Sequence, residues 1–334
     1  MSTILSVQNL KTRFTTFDGT VYAVNGVDFD LKQGETLAVV GESGSGKSVT
    51  MLSLLGLLPA ESAAVSGEAY LQLESIEANL LGISKEQLNR IRGKHISIVF
   101  QDALRSLNPV MTVGEQISES LITHMGYNKK NARSRAVELL EDVGISYPEK
   151  RYYSYPHQFS GGMRQRAMIA IAIACEPEIL IADEPTTALD VTIQTQIVDL
   201  TRRLQDKMGM TVIWITHDLG VVAGIADRVM VMYAGMPIEK APVDELYENP
   251  QHPYTEGLLG AIPEIGETEQ NRLISIGGAP PDLFAAPKHC QFAWRCPYVF
   301  DRCWREIPPY FEVGDGHFSK CFYDMNTQQA RGEE

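Results

Sequence analysis

Gly41-Glu42-Ser43-Gly44-Ser45-Gly46-Lys47-Ser48 is the stretch on which the fold turns. It matches the pattern G-x-x-x-x-G-K-S in full. The apolar run Leu37 to Val40 precedes it, and an apolar, helix-like segment from Val49 to Leu58 follows. Strand, glycine-rich turn and helix in that order form the context the pattern needs. Glycines let the backbone wrap an anion with no Cβ in the way. Successive N–H groups and the helix N-terminus then face phosphate oxygens. Lys47 would meet the β- and γ-phosphates, and Ser48 would offer a hydroxyl to Mg²⁺. The expected nucleotide contacts are Gly41, Glu42, Ser43, Gly44, Ser45, Gly46, Lys47, Ser48 and Val49.

Downstream, Ile179-Leu180-Ile181-Ala182 reads as a buried strand ending in Asp183-Glu184. A carboxylate at Asp183 can hold the Mg²⁺ shell. Glu184 beside it can polarise a water for attack on the γ-phosphate. Taken alone, such a strand end is as readily a strand entering a solvated loop. Thr211 to Ile215 is a further strand, and Ala132 to Val143 and Val191 to Leu204 carry helical spacing. Strands alternating with helices predict an α/β fold with a mainly parallel, covered sheet. Residues 101–158 read as a helical insertion within it.

The chain has 334 residues, 44% hydrophobic and 21% charged, which is ordinary globular composition. A net charge of -13 argues against wrapping nucleic acid, which favours a basic face. The most apolar run, Ala167 to Cys175, is far shorter than the roughly 20 residues a membrane helix needs. The N-terminus lacks a secretory pattern. The expectation is a cytosolic protein that meets a membrane only through partners.

Phe159-Ser160-Gly161-Gly162-Met163-Arg164-Gln165-Arg166 resembles the signature motif of ABC ATPases, normally Leu-Ser-Gly-Gly-Gln. Other motifs of that family stand in order. Gln101 in Val-Phe-Gln-Asp resembles the Q-loop glutamine, Ala188-Leu189-Asp190 the D-loop, and His217 in Ile-Thr-His-Asp the switch histidine. The resemblance covers about residues 1–245. It implies a P-loop NTPase cassette with a RecA-like core, an N-terminal antiparallel β part and a helical subdomain at about 101–165. It also implies an ATPase in which two cassettes sandwich ATP head to tail. Ser160, Gly161 and Gly162 would cap the nucleotide on the partner's loop, with Asp190 nearby. His217 would contact the γ-phosphate and hold Glu184 and water in line; the structural alternative is a histidine ending a strand. Gln101 would contact Mg²⁺ and report nucleotide state to the helical insertion. Phe17 and Tyr22 are the aromatics open to stack on adenine. Phe159 and Met163 depart from the usual Leu and Gln, so Met163 has no polar group to contact the nucleotide.

Around Tyr247 prolines multiply and periodicity weakens, so a boundary is placed between a cassette, 1–248, and an extension, 249–334. Asn249-Pro250-Gln251-His252-Pro253-Tyr254-Thr255, with Tyr155-Pro156-His157-Gln158 upstream, resembles the oligopeptide and dipeptide importer branch, which also includes nickel importers. The extension is expected to be small and irregular. Four of the five cysteines lie in it: Cys290, Cys296, Cys303 and Cys321. In a cytosolic chain such a group favours a metal or cofactor over disulfides. The spacing is wider than in structural zinc sites, and four thiolates also suit an iron–sulfur cluster. The resemblance to dipeptide importer tails implies a four-iron four-sulfur cluster; zinc and free thiols are the alternatives. Cys175 is expected to take no part.

The resemblance implies a subunit at the cytoplasmic face of the membrane that energises peptide import, with a second, paralogous ATPase, two permease subunits and, indirectly, an extracytoplasmic solute-binding protein. A soluble ABC ATPase of DNA repair or the ribosome is the competing class. Repair members need a long central coiled coil, and ribosomal members usually carry two cassettes. Residues 101–158 are too short for the first, and the single P-loop argues against the second. A serine at any one of the four tail cysteines is expected to affect ATP binding much less than the tail itself.

Overall fold

The computed structural model describes residues 2–187, 189–262 and 276–332. Twelve of its strands, in chain order, are β1 (Thr3–Thr16), β2 (Gly19–Lys32), β3 (Thr36–Val40), β4 (Ala63–Leu73), β5 (Ile76–Asn79), β6 (Ile96–Val99), β7 (Ile179–Asp183), β8 (Thr211–Thr216), β9 (Arg228–Tyr233), β10 (Met236–Pro242), β11 (Phe311–Gly314) and β12 (His317–Ser319). The chain divides into two compact units. One takes in Lys32–Thr36 and Ile83–Ile215; the other takes in Thr3–Leu31, Leu37–Gly82 and Thr216–Glu334. The phosphate loop and the cysteine-bearing extension therefore share a unit, although more than 200 residues separate them in sequence.

In this second unit, β1, β2, β4 and β5 form a sheet in the order β2-β1-β4-β5, with β4 antiparallel to both neighbours. A second run of strands in this unit follows the order β11-β12-β10-β9-β3. β3 is parallel to β9, while β10 is antiparallel to β9 and β12. All of Thr36–Val40 is buried, which is why β3 reads as an unbroken apolar run and not as an alternation. The helix after the phosphate loop is Lys47–Leu54. It stops short of Leu58 because Gly56 takes a left-handed φ of 56° and Pro59 follows.

The extension joins this core instead of trailing from it. Tyr254 and Phe292 are buried with Val229, Val231 and Tyr233. Their rings lie 4.7 and 5.3 Å from that of Tyr233. Fully burying such rings contributes on the order of 2 kcal/mol each. The β11–β12 hairpin is stitched on by His317, whose Nε2 meets the equally buried Glu239 Oε1 at 2.8 Å.

In the first unit, β6, β7 and β8 are parallel neighbours. Between β6 and β7 lie helices Val113–Met125, Lys129–Asp142 and Gly161–Ala172; the second overlaps Ala132 to Val143, whose apolar spacing reads as helix. Thr112 and Glu115 close a capping box on the first. Gly114 permits that helix to press on Tyr152, whose ring would lie 2.1 Å from an added Cβ. Cys175 lies beyond the end of Gly161–Ala172, buried, with its thiol on the Ser120 carbonyl at 3.5 Å. No helix among the described residues is long and apolar enough to cross a membrane.

Candidate nucleotide and catalytic site

Gly41–Ser48 forms a tight turn between β3 and helix Lys47–Leu54. Gly41, Gly44 and Gly46 have φ of 149°, 81° and 97°, where a side chain is strained. At Gly41 space is also exhausted: an added Cβ would lie 2.2 Å from the Met232 carbonyl oxygen. Lys47 is buried, and its Nζ donates to the carbonyls of Gly41 at 2.7 Å and Glu42 at 3.0 Å. Ser45 Oγ is buried with no hydrogen-bond partner. An orphaned hydroxyl beside a buried cation, on a loop of left-handed glycines, fits an anionic ligand.

Phe17, at the turn joining β1 and β2, is fully exposed. Tyr22 is half-buried; the Arg13 guanidinium lies 5.1 Å from its ring, and its N–H donates to the Leu283 carbonyl at 2.7 Å. Of the two aromatics, Phe17 is the one with an open face.

In the other unit, Asp183 is buried at the end of β7. Glu184 follows at φ 47°, a left-handed conformation rare outside glycine and frequent at functional sites. Its N–H donates to the Ile215 carbonyl at 3.0 Å. Gln101 Nε2 donates to Glu184 Oε2 at 2.8 Å, and Thr187 Oγ1 donates to the same oxygen at 3.0 Å. Two residues named separately from sequence are thus in contact, and Thr187 joins them without any sequence signal having singled it out. Ala188 of the expected D-loop lies outside the described residues. Asp190 is the N-cap of helix Val191–Met208, accepting from the Ile193 N–H at 3.0 Å.

Ser160 is exposed and caps helix Gly161–Ala172, which begins two residues before Met163. Phe159 is 3% exposed, so replacing leucine with phenylalanine keeps an apolar anchor in the core. Gly162 lies against Ile193, whose Cγ2 would be 3.2 Å from an added Cβ. His217 directly follows β8 and is exposed.

All five cysteines are free thiols. Burial pushes the Cys290 thiol up to about 12, and the charges of Cys303 and Cys296 push the same way. Burial likewise raises Cys296, to about 11, and Cys321, which also feels Cys290 and Cys296. The four are neighbours. Yet among the described residues no three His, Cys, Asp or Glu side chains form a group that could hold a metal ion. The zinc alternative finds no site, and the four-iron four-sulfur cluster expected of the tail has no support in this geometry.

A model of the family described as "ABC transporter" matches residues 24–187. A second, "Oligopeptide/dipeptide transporter, C-terminal region", matches residues 238–303. The chain is 51% identical to the dipeptide transport ATP-binding protein DppD of Bacillus subtilis over 331 residues, covering 99% of this chain and 98% of that one. The chain belongs to the ABC transporter ATP-binding family. Within it, the oligopeptide transport ATP-binding protein AppD of Bacillus subtilis is 49% identical over 322 residues, covering 96% of this chain and 97% of the relative. Among solved structures, the dimeric ATP-binding cassette MJ0796 with ADP and Pi matches at 30% identity and TM-score 0.62. It covers 72% of this chain and 98% of its own. The fold is that of an ABC cassette, and the enzyme is an ATPase.

Proposed function

We propose that this chain is the nucleotide-binding subunit that energises import of di- and oligopeptides, docked on the cytoplasmic face of the membrane. The supporting observation is that one chain joins the ordered cassette motifs to a C-terminal region of the oligopeptide/dipeptide type, at about half identity to dipeptide and oligopeptide transport ATP-binding proteins along its whole length.

In this reading the loop N–H groups and Lys47 hold the triphosphate. Ser48, Asp183 and Gln101 supply oxygen ligands of the hard kind Mg²⁺ takes. The metal would neutralise charge on the β- and γ-phosphates. Glu184 Oε2, fixed by Gln101 and Thr187, orients the carboxylate to take a proton from the attacking water. The water oxygen bonds to the γ-phosphorus as the bridging P–O bond breaks, and ADP leaves with the electron pair. His217 would steady the γ-phosphate. Ser160, Gly161, Gly162 and Asp190 would serve the nucleotide of an opposed, paralogous cassette, and Phe17 would stack on adenine.

The permease contact is assigned to the helical insertion, 101–158. Its support is a cleft of about 470 Å³ lined by Gln101, Leu104, Arg105, Arg164, Gln165 and Leu189, with Leu104 and Val110 exposed nearby. A cleft containing Gln101 lets the membrane subunit feel the residue that touches Glu184. The extension 249–334 is assigned to the importer branch, and its four neighbouring thiols to a four-iron four-sulfur cluster. Support for the cluster is the donor set alone, since four cysteinates suit it; iron and sulfide analysis of anaerobically purified protein tests it. The function is tested in cells lacking the chain. Uptake of a labelled dipeptide should vanish, return with the wild-type chain, and fail to return with Lys47→Ala. Undiminished uptake in the deletion strain would refute it.

A further inference from the structure

Glu42, the second residue of the phosphate loop, is gripped by the extension. Arg295 Nη1 donates to Glu42 Oε2 at 2.7 Å and Nη2 to Oε1 at 2.9 Å, across 253 residues of sequence. The Arg295 side chain is 4% exposed. Its remaining donors are used as well: Nε on the Gly277 carbonyl at 2.9 Å, Nη1 also on Tyr233 Oη at 3.3 Å, and Nη2 also on the Ile276 carbonyl at 3.3 Å. The Glu42 backbone N–H donates to Tyr254 Oη at 2.9 Å, a second hold from the same extension.

An exposed ion pair contributes little. This one is bidentate and its cation is buried, so removing either partner strands a charge. Its position gives it leverage. The Glu42 carbonyl accepts from Lys47 Nζ and from the Ser45 N–H, so shifting Glu42 disturbs the lysine and the turn together. Gly41 beside it packs closely on Met232, whose carbonyl oxygen would lie 2.2 Å from an added Cβ. Arg295 ends the short turn Ala293–Arg295, between Cys290 and Cys296. Twelve residues earlier, the Leu283 carbonyl holds the N–H of Tyr22, on the strand that leaves the Phe17 turn.

We propose that Arg295 is a positioning residue for the phosphate loop, acting through Glu42, so that the fold of the cysteine-bearing extension and nucleotide affinity are coupled. Coupling is reciprocal: nucleotide tightens the turn around Arg295, and loosening that turn weakens nucleotide. On this proposal a substitution at Arg295 reaches ATP binding through Glu42. The inference rests on Gly41–Ser48 being the nucleotide's loop.

The test is titration of full-length chain with MgATP, comparing wild type, Lys47→Ala, Arg295→Met, Arg295→Lys, Glu42→Gln and the Arg295→Met/Glu42→Gln double variant, each checked for cooperative unfolding. Arg295→Met and Glu42→Gln should each raise Kd on the order of tenfold, within the usual span of a coupling energy. The double variant should be no worse than the poorer single one, and Arg295→Lys should recover part of the loss. Hydrogen exchange at Ala293–Cys296 should slow with MgATP in wild type and not in Glu42→Gln. If Arg295→Met does not fold, Glu42→Gln and the exchange measurement decide. Wild-type affinity in folded Arg295→Met or Glu42→Gln, or fully additive losses in the double variant, would overturn the proposal. Unchanged binding by Lys47→Ala would instead overturn the loop assignment beneath it.

Discussion

Gln101 and Glu184, 83 residues apart in sequence, meet at 2.8 Å, amide nitrogen on carboxylate oxygen. Thr187 holds the same oxygen, and the Glu184 backbone is in a left-handed conformation. A side chain held by two donors on a strained backbone is aimed, and strain of this kind costs about 1–3 kcal/mol that the surrounding fold must offset.

Glu184→Gln keeps an oxygen for Gln101 and Thr187 but cannot accept a proton from water. MgATP affinity should stay within about threefold of wild type, while turnover should fall about 10²- to 10⁴-fold, the usual worth of a general base. Steady-state hydrolysis in the reconstituted complex, with a matched partner cassette, checks this. Turnover within a few-fold of wild type would place the base elsewhere.

Gln101→Glu would set a second carboxylate against Glu184. A like charge at that distance raises a carboxylate pKa. With Glu184 as the proposed base, the acid limb of the kcat profile of this variant should move to higher pH by about 1 unit or more. Gln101→Ala removes the donor without adding charge and should move it less. Identical acid limbs in wild type and Gln101→Glu would mean the contact does not persist during turnover.

Gly41→Ala and Gly209→Ala separate conformational strain from lack of space. Both glycines have positive φ, but an added Cβ meets the Met232 oxygen at 2.2 Å at Gly41 and nothing within 4 Å at Gly209. Gly209→Ala should cost about 1 kcal/mol. Gly41→Ala should cost several times more and abolish nucleotide binding. Urea unfolding gives both values, and equal losses would contradict the close approach at Met232.

His252 supplies an acid-sensitive joint. Burial lowers its pKa to about 3, with Arg331 adding to the effect, and Nδ1 accepts from the Tyr254 N–H at 3.0 Å. Unfolded, it titrates near 6.5. A depressed folded pKa means its contribution is whole above about pH 6.5 and is lost as pH falls toward 3, by up to about 1.4 kcal/mol per pH unit. His252→Asn keeps an acceptor for that N–H and removes the titration. Between pH 7 and pH 4 the variant should lose less stability in urea than wild type; parallel losses would remove His252 from the acid response.

The phosphate loop was legible because its chemistry is local: glycines, lysine and serine at fixed spacing between a strand and a helix. The strand ending in Asp183 was legible for the same reason. The start of the helix at Lys47 and its end at Leu54 were carried by Gly46, Gly56 and Pro59, signals that apolar periodicity alone passes over. Gln101 could be named only through family resemblance, since nothing local ties it to Glu184. Arg295 was invisible. It is a single arginine in a proline- and cysteine-rich stretch, and its partner lies 253 residues away. The extension looked separable because its strands β11 and β12 span only four and three residues, too short to show periodicity, while the aromatics that bind it to the core, Tyr254 and Phe292, are isolated in sequence.

The most direct measurement of the central claim is labelled-dipeptide accumulation in proteoliposomes carrying this chain with its partner cassette and permease subunits, supplied with solute-binding protein and MgATP. Wild type should concentrate the peptide while hydrolysing ATP, and Glu184→Gln in this chain should cut both to a small fraction. ATP hydrolysis that proceeds with no peptide accumulation, or accumulation undiminished by Glu184→Gln, would contradict the account.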